Sequence, residues 1–211
     1  MKSWFWPGLT LTAALTSLAL WFGVEKVEAD IASRASHALA PFVWAGFDIE
    51  GRDVTLKGIA PDPAAREAAE TALQKVPQIS QISDLTSILP LASPYLFQIS
   101  RNGDQLVLSG FIPENFLRDQ IMETAEEIAP GASLDDQMAI ARGSWPQFAD
   151  SALFALDLIK ALKEGEIRLS DGLLSVKGIA MSAETYRKMT NILAKPLPFG
   201  LKLQSSDVAQ P

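Results

Sequence analysis

The sequence predicts an α+β protein. An N-terminal transmembrane helix is followed by three tandem small α/β sandwich units of order αββαβ, the middle one lacking its first helix. Three observations predict this. Residues Trp4 to Val24 carry no charge. A pattern of alternating strand, Gly-containing turn and second alternating strand closes on Gly58, on Gly110 and on Gly178. A helical apolar stripe and then a proline follow each copy. The boundaries that result are 1–25 for a cytoplasmic N-terminus and anchor, 26–90, 91–142 and 143–206 for the three units, and 207–211 for a tail.

The anchor comes first. Trp4 to Val24 is 21 residues, about 31 Å of helix at 1.5 Å per residue, which matches a hydrocarbon core of about 30 Å. Trp4 and Trp6 lie at one end and Trp21 at the other, where aromatic rings favour the membrane–water boundary. Lys2 precedes the run, and Glu25, Lys26, Glu28 and Asp30 follow it. The positive-inside rule then puts the N-terminus in the cytoplasm and the bulk of the chain across a bacterial inner membrane, in the periplasm. The competing reading is a cleaved signal peptide, with small residues at Val27-Glu28-Ala29. Cleavable apolar cores run about 7–15 residues, shorter than this one, which favours a retained single-pass anchor.

The repeats follow. Copy one reads Phe47-Asp-Ile-Glu-Gly-Arg-Asp-Val-Thr-Leu-Lys-Gly58, with counterparts at Phe97 to Gly110 and Ile167 to Gly178. Val54 and Leu56, Leu106 and Leu108, and Leu174 and Val176 recur at spacing two, so one face of each strand is apolar. Glu50-Gly51-Arg52, Asn102-Gly103-Asp104 and Ser170-Asp171-Gly172 carry turn chemistry, so each pair of strands closes as a hairpin. Gly58, Gly110 and Gly178 are placed at strand ends, where the chain bends toward a helix. That is a structural role; no phosphate-cradling motif accompanies them.

Each helix opens near Asp62, Glu114 or Ser182. Ala65, Ala69, Ala72, Leu73 and Val76 give the stripe of copy one, Leu117, Ile121, Ala125 and Ile128 that of copy two, and Tyr186, Met189, Ile192 and Leu193 that of copy three. Prolines at Pro77, Pro130 and Pro196 stop them. Closing strands are expected over Ile79 to Leu89, Ala132 to Ile140 and Gly200 to Leu203. A preceding helix is expected over Val27 to Leu39 and over Trp145 to Lys163, but copy two has only Leu91-Ala92-Ser93-Pro94 there. Units of roughly 50–65 residues are marginal alone. Copy two therefore borrows cover from a neighbour, and the units pack together.

Composition excludes several functions. There is no Cys and one His, His37, so neither a thiolate metal site, a disulfide framework nor a histidine cluster is available. Setting Lys2 aside leaves 17 basic against 25 acidic residues, a net charge of −8, which disfavours nucleic acid. His37 reads as a helix-surface residue. Asp135-Asp136 are strand neighbours, so they point to opposite faces and do not form a metal pair. Glu123, Glu126 and Glu127 read as a solvated helix face. No catalytic, metal or cofactor residue is expected, and the chain is not expected to be an enzyme. Trp44 and Trp145 each read as a cap on a small core, with Trp44 the further candidate for a membrane-interface aromatic.

The pattern of strand, Gly turn, strand ending in Val-x-Leu-x-Gly or similar, helix and short strand resembles the BON domain, in three tandem copies over roughly residues 26–206. More narrowly, the chain is similar to the N-terminal half of alphaproteobacterial OmpA-family (BON–OmpA) envelope proteins. Ser93-Pro94-Tyr95 and Asp136-Gln-Met-Ala-Ile-Ala-Arg-Gly143 carry that narrower likeness. The family usually has a Gly before the last strand. Gly131 and Gly200 fit, but copy one has Pro77-Gln78-Ile79. The resemblance implies a non-enzymatic envelope scaffold or membrane-to-cell-wall linker. The alternative is a phospholipid- or small-ligand-binding envelope-stress protein. Peptidoglycan contact would belong to a C-terminal OmpA domain absent from this sequence, and the position of Pro211 is where a further module is expected to begin.

Overall fold

A computed structural model describes residues 26–211. Trp4, Trp6, Trp21 and the expected span Trp4–Val24 lie outside the described residues. Among the described residues no helix is long and apolar enough to cross a membrane. The chain divides into two compact units, with the boundary between Leu89 and Pro90.

The first unit opens with helix α1 (residues 26–39). Strands β1 (Ala45–Glu50) and β2 (Asp53–Ala60) form an antiparallel hairpin. Helix α2 (Pro63–Gln74) starts where Asp62 accepts the Ala65 N–H at 2.8 Å and Pro63 presets the first turn. The chain returns as β3 (Gln81–Asp84) and β4 (Ser87–Ile88), both parallel to β2. The sheet order is β1-β2-β3, with β4 also on β2. Ile31, Ala35 and Leu39 of α1 meet Val54 and Leu56 of β2 and Ala69 and Leu73 of α2 in one buried core.

The second unit contains β5 (Leu96–Asn102), β6 (Gln105–Ile112), α3 (Asn115–Ile128), β7 (Ser133–Ile140), α4 (Phe148–Ile159), β8 (Leu162–Ser170), β9 (Leu173–Ala180), α5 (Ala183–Leu193) and β10 (Lys202–Ala209). Copies two and three share one six-stranded sheet, ordered β10-β9-β8-β5-β6-β7. Its seam is the antiparallel pair β5–β8. Helix α4 packs on both seam strands and on α3, so it covers the copy that has no first helix of its own. An aromatic cluster fills the space beneath it. The Phe148 ring stands edge-on to Tyr95 at 5.1 Å, Phe97 at 5.8 Å and Trp145 at 5.0 Å.

The repeat is visible as register. Phe47 pairs with Leu56, Ile99 with Leu108, and Ile167 with Val176. Those residues sit at the same distance before Gly58, Gly110 and Gly178. In each copy the second strand is followed by a helix and then by a parallel strand on that same second strand.

Several boundaries differ from the sequence reading. The three glycines lie two residues inside their strands rather than at the ends. The expected strand over Ile79 to Leu89 breaks after Asp84, because the Asp84 carboxylate accepts both the Thr86 N–H at 2.8 Å and the Thr86 hydroxyl at 2.6 Å. Helix α4 is shorter than Trp145 to Lys163. Leu162 instead joins β8, opposite Ala180. The last strand runs on to Ala209, pairing with β9 as far as Ile179, so most of the expected 207–211 tail is strand.

Candidate functional site

Gly58, Gly110 and Gly178 do one geometric job. Each has a positive φ, of 126°, 100° and 153° respectively. A Cβ on Gly58 would lie 2.1 Å from the Trp44 carbonyl oxygen. On Gly110 it would lie 2.3 Å from that of Leu96, and on Gly178 2.3 Å from that of Glu164. These carbonyls belong to equivalent residues, fourteen positions before each glycine: Leu96 and Glu164 on the facing strands and Trp44 just before β1. The glycines let the hairpin strands close at the point where the ladder meets the loop before it.

The chemistry-bearing residues are dispersed. His37 is exposed on α1, and its Nδ1–H donates to Ser33 O at 2.7 Å. Asp135 and Asp136 lie on β7. Asp136 accepts from Arg118 of α3 at 2.9 Å, while Asp135 accepts from Gln137 at 2.7 Å. Glu123, Glu126 and Glu127 are exposed on α3. Among the described residues no three His, Asp or Glu side chains converge as a metal site would require. The Tyr95 phenol is buried and donates to Ala141 O at 3.1 Å. Burial pushes it well above the ordinary phenol range, the Ser144 side chain opposing this, so it stays protonated as a fixed donor.

What remains is surface. Val43 is 99% exposed, Leu85 68% and Ile59 56%. Val43 and Ile59 form an apolar rim at one end of the first sheet, and Leu85 lies apart, at the break between β3 and β4 against the middle of β2. Val43 lies just before β1, Ile59 one residue from the end of β2, and Leu85 beside β2 through its N–H to Leu56 O at 2.9 Å. Ile59 lies on the sheet face away from the helices, since Leu56 and Ala60 occupy the buried side. Trp44 sits next to this rim, but its ring packs on the core and stands edge-on to Phe42 at 6.4 Å. Trp145 packs edge-on to Phe148 and donates from Nε1 to Ser151 Oγ at 3.3 Å. Val43, Leu85 and Ile59 are the most exposed large apolar side chains among the described residues of the first unit. Sequence reasoning missed them because Ile59 ends an outward-facing series that is otherwise polar (Asp53, Thr55, Lys57), and Leu85 lies inside a run read as one continuous strand.

A shallow groove runs along the end strand of the same sheet, lined by Glu28, Ala29 and Ala32 of α1 and by Phe47, Asp48 and Ile49 of β1. In the described sheet β1 has a strand partner on one side only.

Residues 47–90 match the BON domain. The matched segment spans β1 to β4 and includes Gly58, Ile59 and Leu85. The search of curated proteins returned no match. Among solved structures, the chain is similar to CdsD, a structural protein of the type III secretion system of Chlamydia trachomatis. Identity is 11%, with 86% of this chain and 92% of that chain covered at a TM-score of 0.32. The C-terminal domain of CdsD is matched at 11% identity over 85% of this chain and 96% of that chain, with a TM-score of 0.30. TM-scores this low do not establish a shared arrangement.

Proposed function

We propose that this protein is a non-enzymatic envelope scaffold, held at the bacterial inner membrane by residues 1–25 and presenting three BON-type units in the periplasm. The BON match over residues 47–90 supports an envelope-associated role. The observation that carries the scaffold reading is the seam between β5 and β8, where two repeated units are joined into one continuous sheet by edge pairing. Apolar surface and backbone donors are used there to join modules, and the grooves between sheet and helices stay shallow. A second reading, direct contact with phospholipid, is favoured by the exposed apolar side chains of Val43, Ile59 and Leu85.

One experiment separates the two. The chain has no Cys, so a single thiol introduced by Leu85→Cys takes an environment-sensitive fluorophore on the full chain reconstituted into phospholipid vesicles. The scaffold reading expects a water-like emission that lipid-borne quenchers leave unchanged. Strong quenching by nitroxide lipids would replace it with the lipid-contact reading. Carbonate extraction of cell membranes tests the tether: the chain should stay with the membrane pellet, and release into the supernatant would remove that part of the proposal.

A further inference from the structure

The β5–β8 seam has a symmetry of its own. Ile99 faces Ile167, Leu96 faces Ser170 and Asn102 faces Glu164. Ile99 and Ile167 are equivalent positions of copies two and three, each the partner of the inner residue two before the strand glycine. An exchange of the two copies therefore maps the seam onto itself. The copies meet as the halves of an isologous dimer would, about a two-fold axis through the Ile99–Ile167 pair. Both isoleucines are fully buried.

The equivalent strand of copy one is β1, and the equivalent residue is Phe47, the partner of Leu56. Among the described residues the same edge ends its sheet. Phe47 and Ile49 remain half-buried, along the groove between α1 and β1. An open edge of this kind offers unpaired backbone donors and acceptors to another strand.

We propose that β1 is a homodimerisation edge: two copies of this chain pair antiparallel through β1, about a two-fold axis at Phe47, as β5 and β8 pair within one chain. This deepens the scaffold reading by naming the partner as a second copy, and it rests on that reading for its purpose. The register follows from the seam. Phe47 faces the second copy's Phe47, Gly46 faces its Asp48, and Ala45 faces its Ile49. No like charges sit directly opposite, and each Asp48 already has Lys57 as its ion-pair partner. The flanking helix fits as well. Position by position, α1 carries Glu28, Ala32 and Ser36 where α4 carries the buried Phe148, Ala152 and Leu156. Helix α4 uses that apolar face to cover a copy that has no first helix. Two α1 helices at one seam would meet through these small and polar residues, with each Glu28 held by the Gly51 N–H of its own copy at 2.6 Å.

The test uses the full chain in detergent, with mass read by light scattering and fold by circular dichroism. A Cβ at Gly46 would meet only Lys57 O, at 3.9 Å, so substitution there leaves the fold intact. Wild type is expected to be a dimer. Gly46→Asp sets like charges opposite each other across the axis and should halve the mass, while Gly46→Lys should keep the dimer. Gly46→Cys combined with Asp48→Cys should give a covalent dimer on mild oxidation, and Thr55→Cys, on the next strand, should not. A monomeric wild type, a dimer indifferent to Gly46→Asp, or cross-linking that is equal at Thr55 would each overturn the pairing. Those outcomes leave the vesicle and carbonate results untouched, so the failure of this inference is distinguishable from failure of the scaffold reading.

Discussion

Gln78 shows how much one backbone angle explains. The sequence of copy one lacks the glycine that precedes the last strand in copies two and three. In the structure Gln78 takes that place with φ 74°, beside 81° for Gly131 and 70° for Gly200. The Arg52 guanidinium donates to its carbonyl at 2.7 Å, which ties the strained residue to the β1–β2 turn. A non-glycine residue in this region costs about 1–2 kcal/mol. Gln78→Gly should therefore raise the stability of the first unit by about 1 kcal/mol, measured by urea denaturation; a loss of stability would show that the side chain matters more than the angle. Asp84 gives a second prediction. The Thr86 hydroxyl, then its backbone N–H, then Arg66 at 3.6 Å hold the carboxyl below its usual value, with burial opposing them. A depressed folded-state pKa contributes stability above the unfolded value near 3.8, lost as pH falls through the folded value. Thr86→Ala should move the Asp84 titration upward by NMR and shift acid unfolding of the first unit to higher pH. An unmoved titration would remove the hydroxyl as the main cause.

At the scale of elements, α1 and α4 begin from one design and end differently. Ile31, Ala35 and Leu39 of α1 occupy the same positions as Ser151, Ala155 and Ile159 of α4, and all six are buried. Helix α4 adds a second buried face through Phe148, Ala152 and Leu156. That broad face is legible in the sequence, where Phe148, Ala152, Leu153, Leu156, Ile159 and Leu162 make a wide apolar stripe. Its target is not, because α3 and β5 lie far from it along the chain. Leu156 is fully buried, and Leu156→Ala should cost about 2–5 kcal/mol. Hydrogen exchange should speed up in β5 and α3 as well as in β8, while the first unit keeps its protection. Loss confined to β8 would mean that α4 supports only its own copy.

For the molecule as a whole, local periodicity carried far. The spacing-two runs, the hairpin turns at Gly51, Gly103 and Gly172, the capping residues Asp62 and Ser182 and most of each helix stripe depend on neighbours in the chain, and the sequence by itself determined them; Ile192 of the third stripe is exposed, and Val76 of the first lies past the end of α2. It also determined that copy two needs outside cover, since Leu91-Ala92-Ser93-Pro94 has no helix to offer. Only the tertiary structure decided how that need is met. The β5–β8 pairing joins residues separated by a whole repeat, and backbone hydrogen bonds between strands carry no side-chain signature that a sequence displays. The extension of β10 through Ala209 was hidden for the same reason. Its residues are mostly exposed and show no apolar alternation, so only the parallel ladder with β9 defines them as a strand. The exposure of Val43, Ile59 and Leu85 and the edge position of β1 also belong to the folded chain. Exposure is a property of what fails to cover a residue, and that depends on every other element rather than on the residue's own neighbours.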